Sequence, residues 1–135
     1  MKDCLFCKII AGEIPSSKVY EDKDFYAFLD IRPIHPGHTL IIPKKHCNDL
    51  MDFPKANESN IMEVLKKVGK AVLSATGADG FNLGMNNGKA SGQEVMHAHF
   101  HIIPRFKEDK LGTWPRKKYE EGQMEEMQKR ISDKV

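Results

Sequence analysis

An α+β domain, with a mainly antiparallel five-stranded sheet, one long helix and a short N-terminal helix, is what this sequence predicts. Three observations predict it. Strand patterns come first, one long amphipathic helix follows, and strands return after it. The first two strand runs are joined by the turn-prone Asp22-Lys23-Asp24. Near the end, His97-Ala98-His99-Phe100-His101-Ile102-Ile103 alternates imidazole with apolar side chains, the period of a half-buried strand.

The elements follow in order. Asp3 is placed to cap a short helix from Cys4 to Ala11, which Gly12 closes at the C′ position. Lys18–Glu21 and Phe25–Leu29 read as strands, and Arg32-Pro33-Ile34-His35-Pro36-Gly37 as a loop, since prolines and glycine break a ladder. His38–Pro43 reads as the third strand, with His38, Leu40 and Ile42 on one side. The long helix is expected over Ser59–Thr76, with Ile61, Val64, Leu65, Val68, Val72 and Ala75 as its apolar face and Gly77 as its stop. Phe81–Asn86 and Met96–Ile103 supply the fourth and fifth strands, around a small-residue loop, Asn87–Gln93. Beyond Pro104 the chain turns polar, and a charged helix is expected over Tyr119–Ile131.

Composition narrows the function classes. The 135 residues are 40% hydrophobic and 30% charged with a net charge of +2, as in ordinary soluble domains and too little to hold nucleic acid as a bulk polyanion. No run of about 18 apolar residues suggests a membrane span, and the N-terminus shows no apolar core of a signal peptide. A cytoplasmic protein is therefore expected. Three cysteines, an odd number, argue for reduced thiols or a metal site over a disulfide framework.

Three of the six histidines, His97, His99 and His101, fall within five residues. On a strand, side chains two residues apart stand roughly 6–7 Å from each other, so such a row can share one anionic group or one metal. Imidazole is largely neutral at pH 7 and attacks phosphorus without a strong base. Backbone N–H groups of the Gly88–Gln93 loop, with the amides of Asn86 and Gln93, offer donors to phosphoryl oxygens. The acidic residues nearby do not resemble a magnesium cage. Taken alone, the row is also compatible with a structural metal site or the solvated face of a strand. Cys4-Leu5-Phe6-Cys7 is likewise open: it is half of a zinc site or two buried thiols.

The histidine run matches the alternating signature of the histidine triad (HIT) nucleotide-binding family. Asp30-Ile31, Gly37-His38-Thr39-Leu40-Ile41-Ile42-Pro43-Lys44-Lys45-His46 and Gly92-Gln93-Glu94-Val95 resemble further family blocks in the same order. The resemblance spans about residues 3 to 105 and is strongest to bacterial members of the Hint-like branch. It implies a nucleotide-binding domain over residues 1–105, followed by a tail, 106–135, with a possible helix.

The resemblance also implies a HIT-like fold and hydrolysis of purine nucleoside 5′-phosphoramidates, AMP derivatives first, without magnesium. His99 takes the position of the nucleophile, His101 that of the histidine on the phosphate oxygens, His38 that of an upstream support and His97 that of an orienting residue. Asp30 matches the carboxylate that grips the ribose hydroxyls, as an ionised Asp can. Asn86, Gly92, Gln93, Glu94 and Val95 match the phosphate-side segment. Phe6, Ile9, Phe28 and Ile31 match an apolar slot for the base, although each by itself reads more often as core. Glu94 departs from many eukaryotic members, which carry serine there.

Some bacterial relatives hold zinc, which here implies Cys4, Cys7, His46 and His97 as a closed Cys₂His₂ set, with Cys47 as a neighbour. The family's usual homodimer implies that the sheet continues across a two-fold axis at the Phe81–Asn86 edge; Met62 and Val72 fit either that interface or the core. Trp114 either reaches over the site or anchors the tail. Two other functions stay open: cleavage of dinucleoside polyphosphates, and a nucleotide-sensing interaction module with residual catalysis.

Overall fold

In β2 (Phe25–Leu29) the residues from Phe25 to Phe28, and in β3 (Thr39–Pro43) every residue, are buried, because both faces of the sheet are covered. Continuous apolar runs of this kind are what a doubly covered sheet requires. The computed structural model describes residues 3–135. Its five strands, β1 (Lys18–Glu21), β2, β3, β4 (Gly80–Met85) and β5 (Phe100–Arg105), lie in the order β1-β2-β3-β5-β4, every neighbouring pair antiparallel. The predicted α+β class is the one observed, with three α-helices: α1 (Leu5–Ile10), α2 (Ile61–Thr76) and α3 (Gln123–Ser132).

One face of the sheet packs on α2. Phe25, Ala27, Ile41 and Ile102 meet Val64, Leu65, Val68 and Val72 there. Gly69 lets α2 approach β4, since a Cβ at that position would lie 3.1 Å from the Phe81 ring. The opposite face packs on α1 through Phe6, Ile9, Tyr26, Phe28, Leu40 and Ile42. His38 belongs to this second face, and His101 is placed there by its pairing with Leu40. The histidine row is therefore covered, not the wet side of a half-buried strand.

Several expected boundaries are corrected. The α1 N-cap is Cys4, whose thiol accepts from the Cys7 amide, and not Asp3. Gly12 does take the left-handed conformation expected after the helix, at φ 79°. Helix α2 begins at Ile61 rather than Ser59, and Ala75 is exposed, off the apolar face. The fifth strand begins at Phe100, not Met96. Before it, the Ala98 amide bonds the Cys47 carbonyl instead of a ladder partner, so His97 and His99 sit on irregular backbone. The strand also runs through Pro104 to Arg105: β3 pairs no further than Ile102, so Pro104 needs no donor on that side. Strand β4 runs from Gly80 to Met85, and the C-terminal helix from Gln123, its first turn lying beyond the exposed 111–122 stretch.

From Leu111 onward every residue except Met127 is exposed, Trp114 at 88%. No helix among the described residues is long and apolar enough to cross a membrane.

Candidate active site and metal cluster

The β2–β3 loop begins and ends at the site. The Asp30 amide donates to the His38 carbonyl at 2.9 Å, closing the loop on itself. Inside it, the Ile34 amide donates to Nδ1 of His38 at 3.1 Å. Because Nδ1 accepts, the proton of neutral His38 sits on Nε2, which lies 2.8 Å from Nδ1 of His101 and donates to it. His101 is then left with its own proton on Nε2, and that atom is buried with no partner. Two consecutive hydrogen bonds thus aim one free N–H donor into the site.

His99 is oriented the opposite way. Its Nδ1 donates to the His97 carbonyl at 2.7 Å, which leaves the lone pair on Nε2. The Phe6 ring stands edge-on to it at 5.2 Å and restricts its rotation. The His99 and His101 rings are 5.0 Å apart, so a lone pair and a donor flank one small volume. Burial holds His38 below the usual imidazole range, the Asp30 carboxylate only partly offsetting this, and pushes His101 down to about 4. Both are neutral at pH 7.

Asp30 retains freedom to accept: Oδ1 takes the Arg32 amide at 2.8 Å, and Oδ2 lies 3.7 Å from His38 Nε2. Gly92 adopts φ 100° and passes close to the Asn86 amide, where a Cβ would lie 3.4 Å from Nδ2. Gln93 is occupied by its own loop and by the loop after β3. Its oxygen accepts from Gly88, and its nitrogen donates to the carbonyls of Asn48 and Val95 at 2.6 and 3.0 Å. Phe6, Ile9 and Phe28 are buried and pack with Leu40 and Val95, so they form a floor, whereas Ile31 is 92% exposed on the rim.

The second cluster joins distant parts of the chain. Cys4, Cys7, His46 and His97 bring four ligand atoms within 4.8 Å of one another. Cys4 Sγ lies 3.3 Å from Nδ1 of His97, Cys7 Sγ 3.5 Å from Nδ1 of His46, and the two Nδ1 atoms are 3.2 Å apart. Tetrahedral zinc with ordinary Zn–S and Zn–N bonds needs ligand separations of about 3.3–3.8 Å, so the donors fit that ion. His97 Nε2 donates to the Pro43 carbonyl at 2.8 Å, directing its Nδ1 lone pair to the centre of the cluster. Burial drives His97 down to about 4 and raises Cys7. Cys47, outside the set, is pushed up to about 11 by burial and is an inert thiol.

Several of these features carried no sequence signal: the Ile34 amide under His38, the Phe6 edge on His99, the Pro43 carbonyl behind His97, and an ion pair between Arg32 and Glu94 at 3.6 Å. Each joins residues whose partnership depends on the folded loops.

Residues 11–108 match the model of the HIT domain. An uncharacterized HIT-like protein of Methanocaldococcus jannaschii is 51% identical over 106 residues, 78% of this chain and 81% of that protein. The adenosine 5′-monophosphoramidase of Saccharomyces cerevisiae is 47% identical over 115 residues, 83% of this chain and 70% of the yeast protein. An adenylylsulfatase of Arabidopsis thaliana is 46% identical over 109 residues, 81% of this chain and 55% of that longer protein. Among solved structures, a Streptococcus mutans protein superposes with a TM-score of 0.90 at 41% identity, covering 99% of this chain and 86% of that one. A zinc-bound histidine triad family protein of Mycobacterium smegmatis superposes with a TM-score of 0.77 at 36% identity, covering 99% of both. With the triad, its supporting histidine and the fold in agreement, the chain belongs to the HIT family of nucleotide hydrolases.

Proposed function

We propose that the chain hydrolyses purine nucleoside 5′-phosphoramidates, AMP derivatives first, through a nucleotidyl intermediate on His99. The observation that carries this reading is the opposed pair at the centre of the site: a lone pair on His99 Nε2 beside an unpartnered N–H on His101 Nε2. The His99 lone pair attacks the α-phosphorus while the phosphorus–nitrogen bond of the substrate breaks. The departing amine takes a proton from solvent as it leaves. His101 donates to a phosphoryl oxygen as negative charge concentrates there. Water then opens the bond to His99 and returns the proton, releasing the nucleoside monophosphate. Two in-line displacements retain configuration at phosphorus.

Asp30 offers an acceptor to the ribose hydroxyls, and Asn86 with the Gly88–Gly92 backbone borders the phosphate. Cys4, Cys7, His46 and His97 would hold zinc. The ion would supply a structural tie between α1 and the segment that carries His99, leaving the triad nucleophile unligated. The named activity of the yeast relative and the zinc-bound mycobacterial structure support these two assignments. A homodimer is proposed through the exposed edge of β4, where Phe81 and Leu83, with Met62 of α2, present apolar surface. Three free thiols suit a reducing, cytoplasmic setting.

The test is turnover of adenosine 5′-phosphoramidate and diadenosine tetraphosphate side by side, with His99→Ala as control. Fast AMP release from the phosphoramidate, lost in the variant while AMP still binds, is the expected result. Preference for the tetraphosphate would move the chain to polyphosphate cleavage, and failure on both despite tight AMP binding would make it a binding module.

A further inference from the structure

Glu94 and Arg32 meet across the opening of the histidine site. Arg32 lies on the β2–β3 loop, two residues after Asp30 and two before the Ile34 amide that orients His38. Glu94 lies on the segment that leads into His97, between Gln93, whose side chain is pinned, and Val95, which packs on the floor of α1. A 3.6 Å ion pair joins these two segments, and both side chains are about four-fifths exposed, at 83% and 80%. A pair so wet is held weakly and exchanges its partner at little cost.

The guanidinium of Arg32 pairs with Glu94 and its amide with Asp30, so this segment sits between two carboxylates, above His38 and His101, which are neutral at pH 7. A cation arriving beside Glu94 replaces Arg32 like for like. An anion arriving beside Arg32 leaves Glu94 unpaired and facing it.

We propose that Glu94 is a specificity residue for the leaving group, a carboxylate that receives a positively charged amine arm, with Arg32 as its built-in stand-in when no such arm is bound. This rests on the phosphoramidate reading above and names the class of amine that it favours: diamines and lysine-like side chains carrying a second, ammonium end.

Three AMP phosphoramidates of equal length test it, built on diaminobutane, butylamine and aminobutyrate, so that the arm ends in a cation, a methyl group or an anion. The readout is the ratio of kcat/KM for the cationic arm to that for the neutral one. The same ratio is measured as binding affinity in the His99→Ala chain, where no turnover is needed. The expected order is cation, neutral, anion. Glu94→Gln should lower the cation-to-neutral ratio about 3- to 5-fold, and Arg32→Gln should raise it by a similar factor, as expected for exposed charge pairs. Raising the salt from about 0.05 to 0.5 M should shrink the wild-type ratio toward one. A ratio unchanged in Glu94→Gln, or a wild-type preference for the anionic arm, overturns the proposal. If no phosphoramidate turns over, the hydrolase reading fails, and the affinity ratios still decide the role of Glu94.

Discussion

Replacing His38 with alanine tests the hydrogen-bond relay that sets the His101 proton. In the intact chain, the Ile34 amide fixes the acceptor on His38 and His38 Nε2 donates to His101 Nδ1 at 2.8 Å, so the free proton of His101 is on Nε2. Without His38, Nδ1 of His101 loses its donor and either ring nitrogen can carry the proton. One buried hydrogen bond is worth about 0.5–1.5 kcal/mol net. As a lost bias toward the productive tautomer, that corresponds to a fall of about 2- to 13-fold in kcat/KM. Deleting the donor outright, as His101→Ala does, should cost more, on the order of 10²–10³-fold, as for a donor aimed at developing oxyanion charge. The assay is AMP release from adenosine 5′-phosphoramidate at neutral pH, paired with nitrogen NMR of the His101 ring. The expected spectrum shows one tautomer in the wild type and a mixture in His38→Ala, with His38→Gln restoring part of the rate through its amide donor. A His38→Ala chain with full kcat/KM and an unchanged His101 tautomer would refute the relay.

Zinc comes first among the remaining predictions: the purified chain should hold about one ion per molecule by elemental analysis, and Cys4→Ser should lose it together with several degrees of Tm. Metal-free wild type whose Tm is indifferent to chelation would end that assignment. Stability should depend on pH through His101, whose folded value is pushed down to about 4. The unfolded chain takes up the proton below the usual value of about 6.5, so this contribution is complete above that pH and lost as pH falls from there through about 4. The loss is on the order of 2 kcal/mol after discounting for partial exposure, and His101→Asn should flatten the Tm profile over that window. At Gly37, φ is 102° and a Cβ would lie 2.6 Å from Thr76 Cγ2. Gly37→Ala should therefore cost about 1–3 kcal/mol in denaturant unfolding, with Thr76→Ala relieving the clash but not the backbone strain. Additive losses in the double variant would rule out that contact as the cause.

Local pattern determined the elements of this chain and the residues proposed to do its chemistry. The apolar period of α2, the turn after β1 and the glycines at positions 12 and 77 are nearest-neighbour effects, and they appear in the structure where the sequence places them. The triad and the Cys-x₂-Cys pair were visible for the same reason, since few folds put such groups so close in sequence without use for them. Tertiary structure alone decided how these groups are used. Helix α1 covers the histidine face, so His97 and His101, spaced like residues of a wet strand, are desolvated and held neutral. The Cys47 carbonyl draws Ala98 off the ladder, which bends the chain so that His97 turns to the cysteines while its carbonyl holds His99. The tautomers of His38, His99 and His101 follow from backbone and ring partners as far as 63 residues away. Proton position depends on which acceptor lies within hydrogen-bond reach, and that distance exists only once the chain is folded.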